Sequence, residues 1–275
     1  MKAKSGVFKF LFILTGAFFL SMMLVPYFWM LFNTFKKTQE LVRNPYRILP
    51  INWTMANYGT VFKRTPFFDW FRNSVVVTAS VTCLVLFTSS LAGFVFAKYK
   101  FPGRTVLFWV ILGSMMVPFQ TIMIPHFLVI NQLGLYNTLF ALIVPAAVSG
   151  FGIFLCRQFC EGIPDSLWEA ALIDGASDIS IYCNVMLPLL RPCLAALAIF
   201  TFLGSWNEYL QALIMLENVK NMTLPIALSY FTSGAHSVDI GACLAASALI
   251  MLPVTIVFLL FQKQFIKGAA ISGMK

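Results

Sequence analysis

The chain has 275 residues, of which 60% are hydrophobic and only 11% are charged, and its mean hydropathy is +0.85. A soluble domain carries about 25% charged residues, so this composition excludes an ordinary water-soluble globular protein. The net charge of +9 is compatible with nucleic-acid binding. However, no basic stripe with interleaved aromatic residues occurs, and nucleic acid is not an expected partner.

Six apolar stretches approach or exceed the roughly 20 residues that a helix needs to cross a bilayer. Their length, the lack of period-2 alternation and the need to satisfy backbone hydrogen bonds inside lipid predict helices rather than strands. No repeat or linker marks a second domain, so the sequence predicts one all-α integral membrane domain, 1–275. The six predicted spans are about 9–32, 73–97, 105–130, 138–158, 193–216 and 240–263.

The basic residues favour one orientation of these spans. Eleven of the nineteen Lys and Arg lie in short segments that share one side of the membrane with both termini. Positive charge concentrates on the cytoplasmic side of membrane proteins, so both termini are predicted to be cytoplasmic. The first apolar stretch is longer than a signal peptide and lacks a small-x-small cleavage site, which predicts a retained membrane helix.

Three features of the sequence bear on how the predicted helices break and pack. The external segment 33–72 contains prolines that should break any long helix. In the second span, Ser89, Gly93 and Ala97 recur at four-residue spacing, a pattern that lets helices approach closely. Five prolines fall inside spans, either as ordinary kinks or as points of deformation around a pathway; they are Pro26, Pro118, Pro125, Pro145 and Pro253.

The segment 161–192, between the fourth and fifth spans, carries five of the ten acidic residues. Ser166 and Glu169 have the spacing of a capping box, which predicts a helix start. Gly175 is a natural stop for that helix because glycine adopts the left-handed conformation easily. Ser177 or Asp178 could then cap a second short helix.

Pro188 is expected to end the second of these helices. In the first one, Leu167, Ala170, Ala171 and Asp174 share a face at i, i+3, i+4, i+7 spacing. That face is small and nearly flat, so it suits docking into a groove of another protein. The alternative is a passive hairpin at the membrane interface.

Glu208 is the only acidic residue well inside a predicted span. With Trp206, Asn207 and Tyr209 it forms a polar and aromatic cluster, and such a cluster suits a sugar with its apolar ring faces and many hydroxyls. A structural clamp between helices and a proton carrier are the alternatives for Glu208. Gln120 in the third span is a weaker pathway candidate.

Catalytic and metal sites are not expected. His126 lacks a second ligand nearby, and His236 lies in the predicted loop 217–239. The six cysteines lie in or beside apolar runs without the spacing of a zinc site. No G-x-x-x-x-G-K-[ST] phosphate loop occurs, so any ATP must be hydrolysed by another chain.

The segment 161–192 resembles the EAA loop of the membrane subunits of ATP-binding-cassette (ABC) importers. The family pattern is E-A-A-x-x-x-G, nine residues, then I-x-L-P. This chain has Glu169-Ala170-Ala171, Gly175, nine residues, and Val185-Met186-Leu187-Pro188, with Val185 in place of Ile. Further matches include Gln120–Pro125, Trp206–Tyr209, Thr223–Pro225 and Gln264–Gly268, which are similar to the six-span subunit of maltose-type carbohydrate permeases.

The resemblance implies a type I ABC importer permease fold and import of a sugar by alternating access. It also implies a second homologous permease, two cytoplasmic ATPases that bind ATP and Mg²⁺, an extracytoplasmic solute-binding protein, and a bacterial or archaeal cytoplasmic membrane. Glycerol-phosphate permeases share these motifs, and an ion-driven transporter is a remoter alternative. The residues implied in coupling to the ATPase are Glu169, Ala170, Ala171, Asp174, Gly175, Leu187 and Pro188.

Overall fold

The computed structural model describes residues 2–232 and 239–272, which form helices and turns with no β-strand among them. The helices are α1 (Lys2–Asn33), α2 (Thr38–Arg43), α3 (Ala56–Arg64), α4 (Phe67–Lys98), α5 (Arg104–Ser114), α6 (Phe119–Gln132), α7 (Phe140–Ala146), α8 (Gly150–Glu161), α9 (Asp165–Ile173), α10 (Asp178–Ile181), α11 (Leu187–Leu189), α12 (Arg191–Trp206), α13 (Leu210–Met215), α14 (Leu224–Ala227), α15 (Ser229–Thr232) and α16 (Ile240–Ser272).

The chain separates into two compact units. Unit 1 comprises the residues through Phe67 together with Leu228–Pro253, and unit 2 comprises Phe68–Ala227 and the residues from Val254 onward. By length and composition, four helices could cross a membrane, within Leu11–Asn33, Phe67–Lys98, Phe140–Glu161 and Ile240–Phe261. Two bent helix pairs raise the number of candidate spans in the described chain to six if each pair counts once.

Unit 1 is held together around a buried asparagine. The side-chain amide of Asn57 donates to the backbone oxygens of Thr34 at 2.7 Å and Lys36 at 2.8 Å. A Cβ on Gly241 would lie 2.4 Å from the Asn57 Oδ1 atom, so only glycine fits against this side chain. The Lys36 ammonium donates to the Arg47 carbonyl, and burial lowers the pKa of Lys36. These contacts fold the proline-containing segment after α1 onto the start of α16.

In unit 2, α4 and α8 pack at very short range. A Cβ on Gly93 would lie 2.5 Å from the Cβ of Cys156 and 2.8 Å from the backbone nitrogen of Arg157. Likewise, a Cβ on Gly152 would lie 2.3 Å from the Ser89 hydroxyl oxygen. The close approach predicted from the stripe of small residues is therefore confirmed at Ser89 and Gly93.

The third predicted span, 105–130, is wrong as a single helix. The chain bends by 102° between α5 and α6, with Pro118 in extended conformation as the residue before α6. A proline disfavours helical backbone at the residue before it, which accounts for the break. The other four prolines in question lie inside helices.

The fourth and fifth predicted spans are also interrupted. Between α7 and α8, Ser149 leaves the helical conformation and its hydroxyl accepts from the Gly152 backbone N–H as an N-cap. The fifth span, 193–216, ends as a helix at Trp206 and resumes only in the six-residue α13. At its other end, α12 is bent by 76° from the helical run Asp178–Leu189.

Candidate functional site

The EAA segment, residues 161–192, begins with a helix that lacks the predicted capping box. Pro164 is the N-cap of α9, and no side chain caps this end. The prediction that Ser166 caps the helix is therefore wrong, because Ser166 already lies within its first turn. Proline suits this boundary because it has no backbone N–H to leave unsatisfied.

The end of α9 is as predicted. Gly175 adopts a φ of +78°, and its N–H bonds to the Leu172 carbonyl while the Ala176 N–H bonds to the Ala171 carbonyl, each at 3.0 Å. This pair of bonds is the Schellman motif, which satisfies the last carbonyls of a helix. Ser177 then caps α10 by accepting from the Ser180 N–H, also as predicted.

The second helical run is longer than predicted. After α10 the backbone makes a π-helical turn, Tyr182–Met186, and continues through α11 to Leu189. Pro188 lies inside this run, so the prediction that Pro188 ends the helix is wrong. A π-helical turn shifts the hydrogen-bond pairing by one residue, which eases the placement of a proline just beyond it.

The surface of α9 is open. No residue of α9 is buried, and Glu169, Ala170 and Asp174 are exposed while Ala171 is partly buried. On the other side of the helix, Trp168 packs against the core of unit 2. Of the remaining predicted coupling residues, Leu187 and Pro188 are half-buried at the base of the segment.

The EAA segment is tied to the C-terminal end of α4 and the residue after it by three polar contacts that the sequence did not reveal. The Lys98 Nζ atom lies 2.5 Å from the Asp165 carboxylate and donates to the Ile163 carbonyl at 2.7 Å. The hydrogen bond and charge of Lys98 hold the pKa of Asp165 below its usual value. One residue on, the Tyr99 hydroxyl donates to Asp178 at 2.6 Å; burial and this bond raise the pKa of Tyr99 to about 12.

Aromatic contacts reinforce this connection. The Tyr99 ring packs edge-on against Trp168 at 5.8 Å and against Phe94 at 5.4 Å between centroids. Phe94 also contacts Tyr182 at 5.9 Å, and the Tyr182 hydroxyl is 2.7 Å from that of Ser90. Both short helices of the EAA segment, and the π-helical turn after them, therefore contact the C-terminal end of α4 or Tyr99 directly after it.

A cavity of about 350 Å³ lies in unit 2 among α4, α7, α8, α12 and α13. Its walls are apolar residues such as Val77, Val81 and Leu142, interspersed with hydroxyl groups. Glu208 lines this cavity, and its Oε1 atom accepts from the Gln211 backbone N–H at 2.8 Å. Glu208 lies in the junction between α12 and α13 rather than within a helix.

The other predicted pathway residues do not line this cavity. Trp206 is only 2% exposed, and its ring stacks on Phe202 at 5.7 Å. Asn207 and Tyr209 are exposed, and Gln120 is exposed in the first turn of α6. The four neighbours Trp206–Tyr209 therefore do not form one cluster, because one is buried, one lines the cavity and two are exposed.

Sequence reasoning missed the hydroxyls contributed by α4. Ser74 and Thr78 line the cavity, and their four-residue spacing in an apolar helix was a usable signal, since such residues share a face. The start of the predicted loop 217–239 is held near the same helix. Trp70 donates to the Val219 carbonyl at 2.6 Å and Asn73 to that of Lys220 at 2.8 Å.

The chain has two histidines, His126 and His236. His126 stacks edge-on against Phe119 at 5.5 Å, and His236 lies outside the described residues. Within the described ranges, no three His, Cys, Asp or Glu side chains come together as metal ligands would.

A family model described as "Binding-protein-dependent transport system inner membrane component" matches residues 89–270, more than half of the chain. The chain belongs to this family. It is thus a multi-pass membrane protein and a permease subunit of an ABC importer, a subunit that is not itself catalytic. The prediction from the EAA motif is confirmed at this level.

Relatives along the whole chain are named as permeases of carbohydrate systems. The arabinooligosaccharides transport system permease protein AraQ of Halalkalibacterium halodurans is 35% identical over 100% of both chains. The diacetylchitobiose uptake system permease protein NgcG of Streptomyces coelicolor is 34% identical, covering 91% of this chain and 83% of its own. The lactose transport system permease protein LacG of Rhizobium radiobacter is 33% identical, covering 93% and 92%.

A solved structure has the same fold. It belongs to a bacterial ABC transporter involved in the import of the acidic polysaccharide alginate, and it matches with a TM-score of 0.85 over 94% of this chain and 97% of that chain. The sequence identity is 23%, so this similarity supports the fold alone. The six-span, type I importer architecture expected from the sequence agrees with it.

Proposed function

We propose that this chain is a permease subunit of a binding-protein-dependent, ATP-driven carbohydrate importer. The observation that carries the proposal is the similarity, over at least nine-tenths of the chain, to permeases named for arabinooligosaccharides, diacetylchitobiose and lactose. These solutes share a chemistry of many hydroxyls on small rings. A permease for glycerol phosphate is the second candidate, since it would carry the same EAA motif.

The EAA segment is the proposed docking site for a cytoplasmic ATPase. The small, nearly flat face of α9 is exposed at Leu167, Ala170 and Asp174, and a groove could accept it. Gly175 lets the chain turn sharply at the end of this face. Leu187 and Pro188 lie half-buried near the C-terminal end of the segment. Two ATPase subunits would bind ATP and Mg²⁺, and both termini of this chain would lie on their side of the membrane.

Transport would proceed by alternating access. Closing of the ATPases on ATP would displace the EAA segment, and the contacts at Lys98 and Tyr99 would carry that displacement into α4. Such coupling requires an element that both sites can bias, and α4 contacts the EAA segment at one end and the cavity near the other. A second homologous permease would complete the pathway, and a solute-binding protein would deliver the sugar from outside.

Uptake measurements test this proposal. Cells that carry the intact system should accumulate at least one of three labelled probes: an arabinooligosaccharide, diacetylchitobiose or lactose. Deletion of this chain should abolish the uptake, and a Walker-motif variant of the partner ATPase should do the same. Failure to accumulate any sugar, with accumulation of glycerol phosphate instead, would move the assignment to the second candidate.

A protonophore separates this mechanism from an ion-driven one. ATP-driven uptake should persist for as long as cellular ATP is maintained, because no ion gradient supplies its energy. Loss of uptake on addition of the protonophore at constant ATP would favour the ion-driven transporter and would make Glu208 the residue to titrate.

A further inference from the structure

The cavity in unit 2 has one acidic lining residue and no basic one. Glu208 is the only ionisable side chain among the described residues that line it, and no Lys, Arg or His contributes. The other polar groups are hydroxyls, such as those of Ser149, Thr201 and Ser205, and the amide of Gln211. The lining therefore offers hydrogen bonds to neutral groups but no positive charge to an anion.

Two of the hydroxyls are buried and lack partners. Thr78 is 1% exposed and Thr223 is 5% exposed, and neither Oγ1 atom has a hydrogen-bond partner among the described residues. Leaving a buried hydroxyl unsatisfied is costly, but these two oxygen atoms have almost no exposed surface. A hydroxylated solute in the cavity could bond to either of them only after its side chain rotated about χ1. Phe151 and Phe200 contact each other edge-on at 6.1 Å and also line the cavity, so they could cover the apolar face of a sugar ring.

The Glu208 carboxylate is held in place. Its Oε1 atom accepts from the Gln211 N–H, and no hydrogen bond to its Oε2 atom occurs within the described residues. Fixed charge in a narrow cavity with low-dielectric walls concentrates the electric field and enriches ions of opposite sign. The walls here are largely apolar, with Val77, Val81 and Leu142 close to the hydroxyls.

We propose that this cavity accepts neutral and amino sugars and rejects sugar acids, with Glu208 as the residue that determines this specificity. The proposal rests on the proposed function as a carbohydrate permease and adds the charge of the solute. An anionic sugar would meet the Glu208 carboxylate without a compensating cation. An ammonium group on an amino sugar would instead be attracted to it.

Charged thiol reagents measure this selection directly. We would introduce Ser205→Cys on the cavity wall of the full transporter in nanodiscs, and compare labelling by a methanethiosulfonate carrying an ammonium group with one carrying a sulfonate. The introduced thiolate attacks the reagent's sulfenyl sulfur, forms a disulfide and releases methanesulfinate. Fragment mass spectra locate the label at residue 205, so both rates are read separately from any reaction at the nearby buried Cys193.

The ammonium-to-sulfonate rate ratio should exceed that of free 2-mercaptoethanol by about tenfold or more, as expected for field focusing in a cleft. Adding Glu208→Gln should bring the ratio to within about twofold of the free thiol. Glu208→Asp keeps the charge and should keep the ratio. Glu217→Gln is the matched control, because Glu217 is an exposed carboxylate outside the cavity.

Matched sugars identify the ligand class. Glucose and glucosamine should protect the introduced thiol from the ammonium reagent, and glucuronate should not until Glu208 is replaced by Gln. A rate ratio like that of the free thiol, equal protection by glucuronate in the parent, or no reaction with either reagent would each overturn the proposal.

The two proposals fail separately. Loss of all sugar uptake with a high rate ratio would reject the carbohydrate function while leaving the charge selection intact. Sugar uptake together with a rate ratio like that of the free thiol would reject the charge selection alone.

Discussion

Gly175 ends α9 in a conformation that side chains with a Cβ rarely adopt. Its φ is +78°, and apart from its chain neighbours no group among the described residues lies within 4 Å of where a Cβ would be. Replacement therefore meets backbone strain but no clash within the chain. Any effect of a larger side chain beyond this strain must come from a partner that covers the turn.

Gly175→Val should uncouple the ATPase from transport while leaving the chain inserted in the membrane. The strained backbone costs about 1–2 kcal/mol, and the added side chain would obstruct the docked ATPase. We expect sugar-stimulated ATP hydrolysis in the purified complex to fall about tenfold, as a loss of about 1.4 kcal/mol would produce.

Gly103→Val is the matched control for this effect. Gly103 has a φ of +82°, and beyond its chain neighbours no described residue lies within 4 Å of a Cβ there, but Gly103 lies in the turn between α4 and α5. It should impose the same strain and spare coupling, and Gly175→Asn should be tolerated because asparagine adopts left-handed backbone more readily. Unchanged ATPase co-purification and uptake in Gly175→Val would refute the docking assignment.

Tyr99 provides a pH-dependent test of the contact between α4 and the EAA segment. Burial and the bond to Asp178 raise the pKa of the Tyr99 hydroxyl from 10.0 to about 12. Since the folded pKa is raised, the stabilising contribution is fully present below pH 10 and is lost as the pH rises through about 12. The contact should therefore be insensitive to pH throughout the neutral range.

A difference titration checks this value. Tyrosinate absorbance of the parent minus that of Tyr99→Phe should show one hydroxyl ionising near pH 12. Asp178→Asn should bring the midpoint part of the way back towards 10, because burial of Tyr99 remains the larger cause. A midpoint near 10 in the parent would mean that Tyr99 is neither buried nor bonded to Asp178 in solution.

Single residues show which parts of the site were predictable. Gly175 and Ser177 were predicted correctly because helix ends follow local rules of backbone conformation and capping. Trp206 was predicted to line the pathway because it is aromatic and has polar neighbours, yet its side chain is buried in the interior. The side of a non-helical junction that each residue faces depends on tertiary packing, which local sequence does not encode.

At the scale of elements, Gly93 in α4 offers a test in which two similar substitutions have opposite effects. A Cβ on Gly93 would press on Cys156 and on the backbone of α8, whereas a Cβ on Gly113 in α5 would meet nothing within 4 Å. Replacing a helical glycine by alanine otherwise stabilises a helix by about 1 kcal/mol.

Gly93→Ala should therefore lower the thermal midpoint of the chain in mild detergent, and Gly113→Ala should leave it unchanged or raise it. Overpacking of this kind costs about 1–3 kcal/mol. The buried thiols of Cys156, Cys160 and Cys193 report unfolding through a thiol-reactive dye. A midpoint for Gly93→Ala equal to that of the parent would show that α4 and α8 lie further apart.

The prolines mark the limit of prediction for whole helices. Five prolines lie within the predicted spans, but only Pro118 coincides with a sharp break; the others remain inside helices. A proline removes one hydrogen bond wherever it occurs, and neighbouring helices decide whether the chain also bends. The sequence therefore indicated where helices occur and left open which of them are continuous.

At the scale of the whole molecule, hydropathy predicted the helical class and the approximate spans, and the EAA motif predicted the family. The contacts that connect the EAA segment to α4 were not predictable, because Lys98 and Asp165 are separated by 67 positions. The same holds for Ser90 and Tyr182, which are 92 positions apart. Long-range pairs of this kind depend on how helices pack, and hydropathy carries no such information.

Among the helices of unit 2, α4 runs without an internal proline for 32 residues. Thr78 on the cavity wall and Lys98 at the EAA segment are about 30 Å apart along its axis, given a rise of 1.5 Å per residue. Such a helix acts as a stiff lever: a tilt of about 5° around the Lys98 end would carry Thr78 sideways by about 2.6 Å over that distance. That is close to the length of one hydrogen bond, so a small rocking of one helix is enough to make or break contacts with a solute.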